Sequence, residues 1–107
     1  MQVQVNTANN VEGREALVQS IEEDVRHRLS RFEGRLTRVE VHVGDENGDR
    51  TEGDDKRCVM EARPSGLAPV TVTEQAGSID QATSGALNKL SSALDRTFGK
   101  LTDRKGH

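Results

Sequence analysis

From Ser78 to Leu101 the chain reads as one long amphipathic helix, and that stretch restricts the fold more than any other. Ile79, Ala82, Ala86, Leu90, Ala93, Leu94, Thr97 and Leu101 recur at helical spacing and form one mostly apolar stripe. Lys89, Arg96 and Lys100 are separated by seven and four residues, which gathers them on a different flank. Ser78 stands where its hydroxyl can accept a free backbone N–H of the first turn. One side of such a helix needs a core and another offers cations. The rest of the chain must supply the core.

Four short alternating segments are suited to that task. Met1–Asn6 alternates, with Val3 and Val5 on one side and Gln2 and Gln4 on the other. A polar turn follows, Thr7–Asn10, with Asn10 as a helix cap. Glu12–Phe32 reads as the first helix, with an apolar stripe of Leu17, Ile21, Val25, Leu29 and Phe32 that continues to Leu36. Its acids come early (Glu12, Glu15, Glu22, Glu23) and its bases late (Arg26, Arg28, Arg31), as the helix dipole prefers, and Gly34 is the expected stop. Arg38–Val43 turns Val39, Val41 and Val43 inward. Lys56–Arg63 turns Cys58, Met60 and Ala62 inward, with Val59 an outward exception. After a Pro64-Ser65-Gly66 turn, Leu67–Glu74 turns Val70 and Val72 inward.

The resulting order is β-α-β-β-β-α, an α+β fold. It predicts a four-stranded mixed sheet with two helices packed on one face and water on the other. A helix joins the first two strands, so they are expected to run parallel through a right-handed crossover, with an antiparallel meander after them. Residues 1–101 are expected to form a single domain and 102–107 a polar tail.

Charge decides which partners suit this fold. The chain has 107 residues, 31% of them charged, and a formal net charge of −3. Gly44–Asp55 alone holds six acids and one base, leaving 14 of the 15 bases against 12 of the 18 acids elsewhere. The folded remainder is thus slightly basic, and local field steers a partner more than net charge does. Two Phe, no Tyr and no Trp argue against base stacking as the main route to nucleic acid. Cys58, a lone cysteine, cannot form an intrachain disulfide and suits a reducing compartment. No apolar run reaches the ~18 residues of a spanning helix, and no signal peptide is evident. A cytoplasmic protein without a membrane partner is expected.

The acidic loop superficially suggests a calcium site through Asp45, Asn47, Asp49 and Glu52. Counting from Asp45, however, Gly48 comes too early for an EF-hand, and Lys56 stands where the closing carboxylate is required. No metal or other cofactor is expected. No nucleophile–base set or phosphate-cradling glycine loop is recognisable, so neither an enzyme nor a small-molecule binder is expected. His27 and His42 read as ordinary surface residues and Cys58 as a small core residue.

Several words of sequence stand along the chain in a fixed order: Met1-Gln-Val-Gln-Val-Asn6, Asn10-Val-Glu12 and Glu15-Ala-Leu17; then Leu29-Ser-Arg-Phe32 and Leu36-Thr-Arg-Val-Glu-Val41; then Leu87-Asn-Lys-Leu90 with Leu94 and Arg96. In this order they resemble the hibernation-promoting factor and ribosome-associated inhibitor family, also called sigma-54 modulation proteins. The resemblance covers roughly residues 1–100, the short form of the family. It implies a cytoplasmic protein that binds rRNA of the small ribosomal subunit under stress and blocks the channel for mRNA and tRNA. It also implies rRNA-binding roles for Arg28, Arg31, Arg35, Lys89, Arg96 and Lys100, with Arg26 and Arg104 as lesser additions. Ser92 and Phe98 stand where the family more often has bases. A monomer is expected. The alternative reading is a diverged member that acts as a stress-related protein-interaction module.

Overall fold

The computed structural model describes residues 1–7, 14–45 and 56–106, with side chains for 1–7, 15–44 and 56–99. The acidic loop from 46 to 55, and the Asn10 cap and Glu12 helix start, lie outside the described residues. The elements are β1 (Gln2–Thr7), α1 (Arg14–Arg28), a 3-10 segment (Ser30–Arg35), β2 (Leu36–Asp45), β3 (Lys56–Pro64), β4 (Val70–Ala76) and α2 (Ile79–Gly106).

The strands form one sheet in the order β1-β2-β3-β4. β1 pairs parallel with β2, with Val3 beside Val39 and Val5 beside Val41. β2–β3 and β3–β4 are antiparallel. This is the mixed sheet that the strand pattern predicts. Val39, Val41, Val43, Cys58, Met60 and Ala62 all point to one face and are buried. Ile21, Val25 and Leu29 of the first helical unit, and Ala82, Ala86, Leu87, Leu90 and Leu94 of α2, close over that face. Each β-carbon alternates across the sheet, so a single period-2 pattern commits all four strands to one core.

Strand ends shift by one or two residues from the sequence reading (β1 takes in Thr7, and β2 spans Leu36–Asp45), and three boundaries differ more. The first α-helix ends at Arg28 rather than Phe32, and the chain tightens into the 3-10 segment. Leu29 N–H still donates to Val25 O at 2.9 Å, while Phe32 N–H donates to Leu29 O at 2.9 Å, so the hydrogen-bond step shortens from four residues to three. That turn delivers Phe32 and Leu36 to the core before β2 begins. β4 starts at Val70 rather than Leu67, because Gly66 (φ +75°) closes a turn and Pro69 has no N–H to give a ladder. α2 runs on to Gly106, past the expected end at Leu101; nothing between Thr102 and Lys105 stops a helix.

The start of α2 follows the expectation. Gln81 N–H donates to Ser78 Oγ at 3.1 Å, and Ala82 N–H to Ser78 O at 3.0 Å. Ser78 is therefore the cap.

Candidate nucleic-acid interface

α1, the 3-10 segment and α2 lie side by side, and the bases late in the first helical unit reach across to α2. Arg28 Nη2 donates to Asn88 Oδ1. Arg31 Nη2 donates to Ser91 Oγ at 3.0 Å and to Asp95 Oδ2 at 2.8 Å. The Arg35 guanidinium lies over the Phe98 ring, 3.9 Å from its centroid. Residues 28, 31 and 35 therefore meet residues 88, 91, 95 and 98 in ascending order, which means that the two helical units run in the same direction.

Two aromatic rings anchor the end of this row. Phe32 and Phe98 lie 5.5 Å apart between centroids, tilted by 32°. Arg31 sits 4.5 Å from the Phe32 ring centroid, so each ring carries one guanidinium. Phe98, which stands where the family more often has a base, is almost wholly buried. The charge at that site is supplied by Arg35 from the neighbouring segment instead.

Lys89 occupies a different place. Its ammonium donates to Thr73 O at 2.9 Å and pairs with Glu74 Oε1 at 2.7 Å, both on β4. Glu74 shares the inward phase of Val70 and Val72, and it lies against Gly85 of α2. A β-carbon at residue 85 would stand 2.6 Å from Glu74 Oε2, so the glycine makes room for this carboxylate. Arg96 is exposed and forms no ion pair among the described residues. At roughly 100° per residue, Arg96 shares the β4-facing flank of α2 with Lys89. The side chains of Lys100 and Arg104 lie outside the described residues.

The two basic groups thus occupy opposite flanks of α2. Arg28, Arg31 and Arg35 line the flank toward α1, and Lys89 and Arg96 line the flank toward β4. An exposed polar crest with Gln81, Asn88 and Ser92 runs between them. All five described bases of the candidate set are exposed. Arg26 turns elsewhere, to Glu22 at 3.4 Å and to Met1 O at 3.1 Å.

Sequence spacing grouped the bases on each helix but did not identify their partners Asn88, Ser91, Asp95 and Glu74. The matching strides of 28-31-35 and 88-91-95-98 are the signal that pairs them once the helices are known to run in parallel.

The wet face of the sheet is chemically different. Glu40 pairs with Arg38 and lies 3.6 Å from His42 Nε2, while Glu61 pairs with Arg63 at 3.2 Å. A cleft of about 610 Å³ lies at the far end of β2 from Arg35, bordered by Asn6, Thr7, His42, Gly44 and Arg57. Cys58 is buried, and desolvation pushes its thiol up to about 11, partly opposed by the Thr83 hydroxyl. Among the described residues no cluster could hold a metal ion, and no helix is long and apolar enough to cross a membrane.

Solved structures share this architecture. A ribosomal subunit interface protein from Coxiella burnetii superposes with a TM-score of 0.71 at 10% identity, covering 92% of this chain and 99% of the other. The N-terminal domain of Protein Y from Thermus thermophilus superposes with a TM-score of 0.65 at 17% identity, covering 91% and 99%. Among curated proteins none matches the sequence significantly. Residues 4–102, nearly the whole chain, match the sequence model of the sigma 54 modulation protein / S30EA ribosomal protein family, and the chain belongs to that family.

Proposed function

We propose that this protein is a ribosome-associated translation inhibitor of the hibernation-factor type. It binds the rRNA backbone of the small subunit and blocks the channel for mRNA and tRNA. The observation that carries the reading is the pair of basic flanks along α2, Arg28, Arg31 and Arg35 on one side and Lys89 and Arg96 on the other. They stand about one helix diameter apart, ~10 Å, and straddle a crest of short polar side chains. Guanidinium and ammonium groups set in this way bind phosphates by charge and leave base identity unread. Lys100 joins the proposed set on its sequence spacing from Lys89 and Arg96 alone. Inhibition by occupancy needs no catalytic group and no cofactor, and the site of action is the cytoplasm, where the protein acts as a monomer.

The family and the subunit-interface neighbour support ribosome association. The test is co-sedimentation with purified ribosomes. An Arg28→Gln, Arg31→Gln, Arg35→Gln variant and an Arg96→Glu variant, both shown to be folded by circular dichroism, are expected to lose or weaken association. Full retention by both contradicts the assignment.

A second reading has its own support. Arg31 and Lys89 are each engaged by a carboxylate of the same chain, and the net charge is −3. These features favour a diverged member that meets a protein partner through the same surface. Ribosome-independent capture of one defined protein, abolished by the same substitutions, would select it.

A further inference from the structure

Two of the five described bases in the candidate interface are held by carboxylates of their own chain, one on each flank. Asp95 Oδ2 sits 2.8 Å from Arg31 Nη2, with the two side chains 51% and 56% exposed. Glu74 Oε1 sits 2.7 Å from Lys89 Nζ, with the side chains 29% and 55% exposed. Neither pair is needed to bring its base to the surface. Arg31 keeps the Ser91 hydroxyl and the Phe32 ring, and Lys89 keeps the Thr73 carbonyl. The acids are placed where an incoming phosphate oxygen would bond.

We infer that Asp95 and Glu74 are internal competitors for the polyanion. They occupy Arg31 and Lys89 in the free protein and set its affinity below what the basic flanks would otherwise provide. This inference rests on the rRNA-backbone reading above. A phosphate that takes over either base must first displace a carboxylate and then lie near it, so both the exchange and the residual repulsion weaken binding. Exposed ion pairs of this kind are modest, so each is expected to lower affinity by about 1.4- to 5-fold. Where the carboxylate instead keeps its base in the wild-type complex, releasing that base adds one phosphate contact and steepens the salt dependence by a little under one unit of log–log slope.

Gly85 belongs to the same device. With no β-carbon it lets Glu74 lie against α2 within reach of Lys89. An alanine there would push the carboxylate aside and release Lys89 without changing the charge of the protein.

The experiment compares ribosome binding by the full chain with that of Asp95→Asn, Glu74→Gln and Gly85→Ala across a salt series. Glu61→Gln, on the opposite face of the sheet and paired with Arg63, controls for the simple loss of one negative charge. Asp95→Glu, which keeps the competing charge, should stay near wild type. Asp95→Asn and Glu74→Gln should each bind about 1.4- to 5-fold tighter at low salt. Gly85→Ala should follow Glu74→Gln, and Glu61→Gln should match wild type. Equal affinity of wild type, Asp95→Asn and Glu74→Gln would overturn this inference alone. So would an equal gain by Glu61→Gln, because the effect would then be one of net charge. Absence of binding by every form, Asp95→Asn and Glu74→Gln included, would overturn both the inference and the reading beneath it.

Discussion

The guanidinium carbon of Arg35 lies over the Phe98 ring, 3.9 Å from its centroid, and Phe98 is itself buried against the core. One aromatic side chain therefore closes the hydrophobic interior and holds a cation at the surface above it. Phe98→Leu keeps an apolar side chain but loses the contacts with Phe32 and Arg35, an expected cost of about 1–2 kcal/mol. Phe98→Ala leaves a cavity as well and is expected to cost about 3–5 kcal/mol. Urea unfolding of the two variants checks the order. Equal stability of Phe98→Ala and wild type would mean that the ring is not part of the core.

Cys58 makes stability sensitive to alkaline pH. Its thiol is raised from 9.0 to about 11 by burial. Below pH 9 the folded and unfolded states both keep the proton, and the contribution is complete. Between pH 9 and about 11 only the unfolded chain loses it, so stability falls by about 1.4 kcal/mol per pH unit, or roughly 2–3 kcal/mol in all. Urea midpoints for wild type and Cys58→Ala should converge across this window. Parallel curves would show that the thiol does not contribute. In the folded protein at neutral pH the thiol should also react with a disulfide reagent only through unfolding.

Ser78 closes the first turn of α2 through its bond from Gln81 N–H. Ser78→Ala should lower stability by about 1 kcal/mol, and Ser78→Asp should restore it, since aspartate also caps and favours the positive end of the helix dipole. Thermal unfolding of the pair checks this, and equal melting of Ser78→Ala and wild type would contradict it.

Gly85 is a packing glycine. Alanine in an exposed helix gains about 1 kcal/mol over glycine, but here its β-carbon would meet Glu74 at 2.6 Å. The gain should therefore be largely cancelled, leaving Gly85→Ala within about 0.5 kcal/mol of wild type. In Glu74→Ala the obstacle is absent, and the same substitution should stabilise by the full amount. Identical effects in both backgrounds, measured by urea unfolding, would contradict the contact.

Much of this fold is legible in the sequence because local pattern and global topology agree. Val39, Val41 and Val43 alternate like Cys58, Met60 and Ala62, and every one of them is buried. Val25 and Leu29 continue the stripe read for the first helix. The end of that helix was not legible, because Ser30–Arg35 keeps an apolar spacing that suits either a longer α-helix or a 3-10 turn. The core role of Phe98 is not legible in the sequence, because it depends on Phe32, a neighbour distant in the chain. The bases were legible as groups, but their partners were not. Arg31 to Asp95 and Lys89 to Glu74 are tertiary relations, fixed by the side-by-side packing of the helices and by the seating of α2 on β4.

The central claim is that the two basic flanks of α2 bind rRNA through its phosphates. Its most direct test is co-sedimentation of the wild-type chain with purified ribosomes across a salt series. Binding at low salt that falls steeply and linearly on a log–log plot, with a slope near that of several phosphate contacts, is the predicted result. No binding at low salt, or binding indifferent to salt, would contradict it.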